Sequence, residues 1–249
     1  MYFWLMLASL MGIIMFGNYR EKAKDADDYI VPVYEALAQN MLIQHNAVVS
    51  NIQARIAADS QVAGNTGYEA FAASGLTNQI SGDASGNMVD ASNGAVNYLP
   101  YGFKYQPGVT TAYFCVNKAN QKQFIACSNT NAVMYVITYG AVPVKYAGWA
   151  AMSIPKAIAA GTRNSRFVGL IAQASSPLAT GYGQPLGAGY YILSAGYSPA
   201  ASTYIPDAFF CAWGKSDPRN YMVALTMIKG LNSGENMPSA GSPCSWPPS

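Results

Sequence analysis

The sequence predicts an α+β fold, in which an N-terminal transmembrane and stalk helix precedes a small antiparallel sheet packed with one or two helices. Apolar residues recur every three or four positions through residues 26–58, which is typical of a helix with one apolar face. After residue 101, six short runs are rich in aromatic and β-branched residues and are bounded by turn residues. These predicted strands lie at residues 111–116, 123–128, 132–140, 166–173, 189–196 and 207–214. One helix packed on such a sheet is the economical way to bury both elements.

The first sixteen residues, MYFWLMLASLMGIIMF, contain no charge and no proline. A helix through residues 1–19 would be roughly 30 Å long, which matches the hydrocarbon thickness of a bilayer. We therefore predict a membrane anchor at residues 1–19 that contacts lipid. Its membrane-facing residues are predicted to be Tyr2, Trp4, Leu5, Leu7, Leu10, Ile13, Ile14 and Phe16. A cleaved leader is disfavoured because no basic residue precedes the apolar run, and a buried soluble helix is the remaining alternative.

Residues 20–58 are predicted to form an amphipathic stalk that leaves the membrane and pairs with helices of a partner. Either Asp27 or Asp28 caps a helix with Pro32 in its first turn, or Pro32 kinks one continuous helix. The only histidine of the chain, His45, falls on the polar side of the pattern and is predicted to be a surface residue. The interaction face is predicted to consist of Ile30, Tyr34, Leu37, Met41, Val48 and Ile52.

The rest of the chain divides by composition at about residue 100. Residues 59–100 are rich in Gly, Asn, Ser and Ala and are predicted to be a linker or exposed insertion, with one short helix around 68–73. Residues 101–249 are predicted to be a periplasmic α+β domain with a disulfide-tied tail. Besides the strands, this domain is predicted to contain helices at 144–162 and 217–232, since Asp217 and Pro218 suit the start of the second.

The four cysteines predict the compartment. Cys115 and Cys127 flank a polar stretch between two apolar runs, which is the pattern of a hairpin whose thiols can bridge. Cys211 and Cys244 would tie the proline-rich tail to a strand. Four cysteines allow three pairings, of which we predict the nearest-neighbour one. Zinc binding is disfavoured because no Cys-x-x-Cys pair is present, and free buried cysteines are the alternative. Disulfides indicate an oxidising space such as the periplasm.

Charged residues are sparse and unevenly distributed. They make up 10% of the chain, against about 25% in an ordinary soluble domain. Residues 18–100 carry a net charge of −5 and residues 101–249 a net charge of +7, which could orient the domain beside an acidic neighbour. The basic residues are scattered, so nucleic acid is not an expected partner. Arg20, Lys22 and Lys24 follow the anchor and by the positive-inside rule favour a cytoplasmic domain, whereas the cysteines favour the periplasm, which is our prediction.

The sequence offers few groups for catalysis. It has no G-x-S-x-G elbow, and the glycine-rich GYGQPLGAGYY lacks both the Lys-Ser/Thr of a phosphate loop and the spacing of a dinucleotide-binding turn. After residue 101 the only carboxylates are Asp207, Asp217 and Glu235. We therefore predict a non-enzymatic protein with no cofactor and no metal. An anchored periplasmic enzyme is the alternative from another class.

Several passages resemble, in the same order, PilM-type proteins of type IVb (thin) pilus systems encoded by conjugative plasmids. They are ALAQNMLIQHNAVVSNIQA, LPYGFKYQPGVTTAYFC, VMYVITYG, QASSPLATGYGQPLGAGYYI and STYIPDAFFCAW, within a resemblance that covers most of 1–60 and about 98–214. The resemblance implies a single-pass bacterial inner-membrane protein whose periplasmic domain serves pilin transport or the pilus base. Its partners would be other pilus-assembly proteins or pilin subunits, with homo-oligomerisation left open.

A minor pilin or pseudopilin-like subunit of the fibre, exposed at the cell surface, is the second interpretation. An apolar N-terminal helix that continues into an amphipathic stalk, followed by a C-terminal disulfide loop, is also the layout of pilins. The sequence differs from pilins because it has no basic leader ending in Gly and no Glu within the first helix.

Overall fold

One long helix and eight β-strands contain most of the residues that the structure describes. The computed structural model describes residues 36–82, 88–90, 94–119, 123–141, 168–173, 190–193, 203–206, 208–209 and 221–229. Helix α1 is described over residues 36–59. The strands are β1 Thr77–Gly82, β2 Met88–Asp90, β3 Thr110–Asn117, β4 Ala132–Ala141, β5 Val168–Gln173, β6 Tyr190–Leu193, β7 Thr203–Tyr204 and β8 Tyr221–Lys229. Two short 3-10 helices, Glu69–Phe71 and Ala95–Tyr98, lie on either side of β1 and β2.

All eight strands belong to one antiparallel sheet in the order β2-β1-β3-β4-β8-β5-β6-β7. Strands β1, β3 and β4 follow one another as neighbours, but β8, the last described strand in sequence, lies between β4 and β5. The predicted α+β class, a helix with an antiparallel sheet, is confirmed.

The two faces of the sheet bury different sets of side chains because successive residues of a strand point in opposite directions. On the helix-covered face, Val48 and Ile52 of α1 pack in one cluster with Tyr113, Met134 and Val136 of the sheet. The opposite face carries a second buried cluster: Ala112, Phe114, Val116, Val133, Tyr135, Ile137, Tyr139, Ile171, Ile205, Ala208, Phe209, Val223 and Leu225. The central strands are therefore covered on both sides.

The apolar face of α1 packs on the protein's own sheet. Met41, Val48 and Ile52 are fully buried, and Leu37 is half-buried. The prediction that this face binds helices of a partner is wrong for Met41, Val48 and Ile52, because a side chain already enclosed by the sheet has no surface left to offer. Ile30 and Tyr34, the other two residues of that predicted face, lie outside the described residues.

Residues 59–100 form part of the folded domain. They supply β1 and β2, so the predicted linker or insertion is an integral part of the sheet. The short helix predicted around residues 68–73 is present as the 3-10 helix Glu69–Phe71, whose Phe71 is fully buried and meets Tyr113 edge-on at 5.4 Å between ring centroids. Because β1 and β2 lie toward one edge of the sheet, the segment has low hydrophobicity. Its sequence therefore does not indicate strands.

Two predictions for the C-terminal third are wrong. Tyr221–Lys229 is a strand, whereas residues 217–232 were expected to form a helix. As a central strand, β8 is buried on both faces from Met222 to Leu225, so it shows no alternation of apolar and polar residues and its pattern does not separate strand from helix. Ala208 and Phe209, expected in a strand at 207–214, are helical. Phe209 donates its backbone N–H to the Pro206 carbonyl at 3.0 Å, a turn rather than a ladder bond.

The strand predicted at residues 123–128 is reduced to a single bridge between Phe124 and Val116. Among the described residues, no helix combines the length and the apolar character needed to cross a bilayer. The predicted anchor at 1–19 (Tyr2, Trp4, Leu5, Leu7, Leu10, Ile13, Ile14 and Phe16), the helix at 144–162, and Cys211 and Cys244 lie outside the described residues.

Gly82, at the end of β1, is required by a close approach of backbone. A Cβ built on Gly82 would lie 2.9 Å from the Gln106 carbonyl oxygen, in a region where the Gly82 N–H donates to the Val109 carbonyl at 3.1 Å. We expect Gly82→Ala to lower the free energy of unfolding by about 2 kcal/mol, since backbone cannot yield as a side chain tip can. Chemical denaturation would measure this, with the neighbouring Ser81→Ala as control. Equal stability of the two variants would contradict the prediction.

Candidate functional site

Three threonines on adjacent strands form a polar strip on the helix-covered face of the sheet. Thr111 of β3 lies directly opposite Thr138 of β4, and their hydroxyl oxygens are 2.7 Å apart. Thr226 of β8 lies opposite Val136, two residues from Thr138, so it shares the same face. Thr111 and Thr138 are fully buried. The strip is the polar part of an otherwise apolar contact between helix and sheet.

His45 of α1 inserts between two of these threonines. Its Nδ1 lies 2.9 Å from Thr138 Oγ1 and its Nε2 lies 2.7 Å from Thr226 Oγ1, and only 3% of the residue is exposed. Burial lowers the pKa of His45 from 6.5 to about 4, because the surroundings disfavour the charged imidazolium. At neutral pH the ring is uncharged. An imidazole enclosed in this way is suited to fixing the helix on the sheet rather than to exchanging protons with a substrate.

Gln44, the residue before His45, continues the polar contact toward β3. Its Nε2 donates to Thr111 Oγ1 at 3.1 Å, while its Oε1 meets no hydrogen-bond donor among the described residues. One turn earlier, Asn40 donates from Nδ2 to the Lys104 carbonyl at 2.6 Å. The fold thus encloses four polar groups beside the half-buried Thr226: Gln44, His45 and the hydroxyls of Thr111 and Thr138. We call Gln44, His45, Thr111, Thr138 and Thr226 the seam.

A second polar group lies at the far end of β8. A bulge at Ile228 shifts the pairing, so that Tyr135 pairs with Met227 but Met134 pairs with Lys229. The extra residue turns Lys229 onto the helix-covered face. There Lys229 Nζ donates to the backbone carbonyls of Cys127 and Asn129, at 2.8 and 2.9 Å.

The Lys229 ammonium also lies over an aromatic ring and near a carboxylate. Nζ is 4.4 Å from the centroid of the Tyr68 ring, a distance suited to a cation–π interaction. Partial burial lowers the pKa of Lys229, and the negative charge of Glu69 opposes that shift. Lys229 therefore ties β8 to the loop at Cys127–Asn129 and to the loop that follows α1.

The loop between α1 and β1 is organised by two carboxylates. Glu69 accepts hydrogen bonds from the backbone N–H groups of Thr66, Gly67 and Tyr68, all at 3.0 Å, and from the Thr66 hydroxyl at 2.7 Å. The bonds from the backbone and hydroxyl of Thr66 lower the pKa of Glu69 to about 2. Asp59, at the end of α1, accepts from the Glu69 N–H at 3.0 Å and from Asn65 Nδ2 at 2.8 Å.

A disulfide joins Cys115 of β3 to Cys127, with their Cα atoms 5.3 Å apart. This is the pairing that the sequence predicts. Both cysteines are buried in the cluster that also holds Phe71 and Ile52, and the Cys127 N–H donates to the Phe71 carbonyl at 3.3 Å. The bridge therefore sits beneath α1, in the same layer as the seam and the Lys229 contacts.

The main members of this layer are not predicted by the sequence. His45 is predicted at the surface but is buried, because its spacing from Met41 and Val48 places it on the face of α1 that packs on the sheet. A signal was present, since Thr111, Thr138 and Thr226 each interrupt an apolar run at a position on one face of its strand. Within the described stretches, no group of three His, Cys, Asp or Glu side chains could hold a metal ion.

The contacts of Lys229 give a stability prediction. We expect Lys229→Met to lower the free energy of unfolding by about 1 kcal/mol, because two carbonyls lose a charged donor in a partly solvated place. Differential scanning fluorimetry would measure the fall in Tm, and Lys104→Met, at an exposed loop position, is the matched control. An unchanged Tm for Lys229→Met would show that water replaces the ammonium without cost.

Comparisons with known proteins add no relative: no protein-family model, no curated protein and no solved structure matches this chain.

Proposed function

We propose that this chain is a non-enzymatic structural component of a type IV pilus assembly system, with a periplasmic domain held at the bacterial inner membrane by residues 1–19. The observation that carries the proposal is the buried Cys115–Cys127 disulfide, because such bridges persist in oxidising compartments and are rare in the cytosol. The order of sequence passages that resemble PilM-type proteins supports the choice of system.

The contacts of His45, the single histidine, support a role in assembly rather than in catalysis. His45 is the side chain of the sequence with an ordinary pKa nearest neutrality, and it bonds two threonine hydroxyls inside the fold. The Glu69 carboxylate and the Lys229 ammonium are likewise engaged by backbone groups of this chain. The partners we propose are other pilus-assembly proteins or pilin subunits, met through the outer surface of the domain.

A pilin-like subunit of the fibre is a second candidate, favoured by the packing of α1. Its apolar face packs on the protein's own antiparallel sheet through Val48 and Ile52, and Met41 on the same face is fully buried. A subunit of that kind would present the opposite side of the helix to its neighbours in a fibre. The two candidates share the compartment and differ in whether the protein leaves the membrane.

Intact mass of the full chain, purified from membranes of its native host with and without reduction and alkylation, tests the proposal. We expect an uncut N-terminus and oxidised cysteines, with the protein retained in the membrane fraction after pili are sheared. Free thiols at Cys115 and Cys127 would overturn the periplasmic assignment. Recovery in sheared fibres with a shortened N-terminus would instead establish the pilin-like subunit.

A further inference from the structure

An exposed aromatic turn lies in the segment before β3. The Phe103 N–H donates to the Pro100 carbonyl at 3.1 Å, which closes a turn with Tyr101 and Gly102 at its corner. Gly102 has a φ of 74°, as the second corner residue of a type II turn requires. The side chain of Tyr101 is fully exposed, and Tyr98, in the 3-10 helix before the turn, is 45% exposed.

The rest of this segment is fixed to the body of the domain. Leu99 and Tyr105, on either side of the turn, pack against the cluster beneath α1. The rings of Phe103 and Tyr105 meet edge-on, with their centroids 5.1 Å apart. Asn40, in the first part of α1, donates from Nδ2 to the Lys104 carbonyl at 2.6 Å. The turn is therefore held at the end of the domain where α1 begins.

Two more exposed side chains lie at this end of the sheet. Met88, in β2, is 38% exposed and pairs with Gly82, whose carbonyl accepts from the Gly108 N–H at 3.3 Å. Lys104, four residues before Gly108, is also exposed. Single exposed apolar side chains are ordinary, whereas three beside a basic residue at one end of a fold form a surface suited to a partner. We call Met88, Tyr98, Tyr101 and Lys104 the tip.

The chain enters α1 at the same end. Residues 1–35 precede it and include the uncharged run at residues 1–19 that we propose as a membrane anchor, so the present inference rests on the proposed function. Residues 20–35 can span at most about 55 Å, which keeps the tip within reach of the bilayer and raises its effective concentration there. Tyrosine rings favour the membrane–water boundary, and anionic headgroups attract lysine.

We propose that the tip docks on the surface of the bilayer that holds residues 1–19. Tyr98 and Tyr101 then lie at the level of the headgroups, and the Lys104 ammonium lies against lipid phosphate. A weak contact is sufficient, because the anchor already holds the chain in the same bilayer. The contact orients the domain so that α1 begins at the membrane. Val62, three residues beyond the end of α1, lies up to roughly 30 Å farther out.

Photo-crosslinking of the full chain in vesicles of phosphatidylethanolamine and phosphatidylglycerol tests the proposal. The photoreactive residue p-benzoyl-phenylalanine is placed at Tyr101 or, as the control, at Val62, which is 56% exposed. We expect mass spectrometry to find several times more phospholipid adducts from position 101 than from position 62. Equal yields from the two positions, or crosslinks from position 101 to a second protein chain instead of lipid, would overturn the proposal.

A pair of lysine variants tests the charge contact. We expect Lys104→Gln to lower the yield of lipid adducts from position 101 about fivefold on these anionic vesicles and to leave it unchanged on phosphatidylcholine alone. Lys118→Gln, directly after the other end of β3, should not change the yield on either. An equal fall for both variants would contradict the role of Lys104.

Flotation of the vesicles distinguishes failure of the docking from failure of the anchor. A chain that floats with the vesicles but forms no lipid adduct at position 101 overturns the docking alone. A chain that does not float overturns the anchor and, with it, the docking.

Discussion

Acidification from pH 6.5 to pH 4 is expected to lower the free energy of unfolding by about 3 kcal/mol through His45 alone. The pKa of His45 is lowered from 6.5 to about 4 by burial. Between these values the unfolded chain binds a proton that the folded chain does not, so stability is full above pH 6.5 and falls toward pH 4. The physical event is the protonation of an imidazole that the helix and sheet hold uncharged between Thr138 and Thr226.

Urea denaturation at a series of pH values would measure this dependence. His45→Gln is the matched variant, because an amide can still bond hydroxyls but does not titrate. Its stability should change much less across the same window. The pKa of Glu69 is lowered from 4.5 to about 2, so its contribution is lost as the pH falls from about 4.5 and overlaps the His45 window only at the acidic end. If His45→Gln follows the same pH curve as the unaltered chain, His45 is not the group responsible.

Loss of the Cys115–Cys127 bridge is expected to lower the free energy of unfolding by about 3 kcal/mol. The cysteines are separated by 12 positions, so the bridge closes a loop of that length in the unfolded chain. The chain entropy that the unfolded state loses through this loop corresponds to about 3 kcal/mol of stability. Both sulfurs lie in the cluster beneath α1, so the double variant Cys115→Ala, Cys127→Ala also loses some buried volume. Thermal unfolding with and without a reductant would measure the effect.

Two comparisons identify the source of that change. A reductant should lower the Tm of the unaltered chain, and it should have no further effect through this pair in the double variant. Amide hydrogen exchange should rise first at Phe124 to Asn129, where the Ile125 N–H bonds the Cys115 carbonyl at 3.0 Å. If reduction leaves both the Tm and this exchange unchanged, the bridge does not stabilise the fold.

The sequence predicted those elements whose signal is local. The period of α1, the aromatic and β-branched runs of β3 and β4, and the hairpin pattern around Cys115 all depend on residues close together in the chain. What it could not predict depends on residues far apart in the chain. His45 meets Thr226 across 181 positions, and β8 shows no alternation because both of its faces are buried from Met222 to Leu225. The polarity of His45 alone predicted a surface position, although its spacing from Met41 and Val48 places it on the buried face of α1.

The position of β8 in the sheet determines when the sheet can be completed during synthesis of the chain. Strands β2, β1, β3 and β4 are synthesised early, and β5, β6 and β7 follow, yet the strand that joins these two groups emerges only with residues 221–229. Until then Thr226 is missing beside His45, and β4 has an open edge between Met134 and Ala141. Pairing between such distant strands is slow to form. The sheet can therefore be completed only once residues 221–229 have been synthesised, and until then the edge of β4 is unpaired.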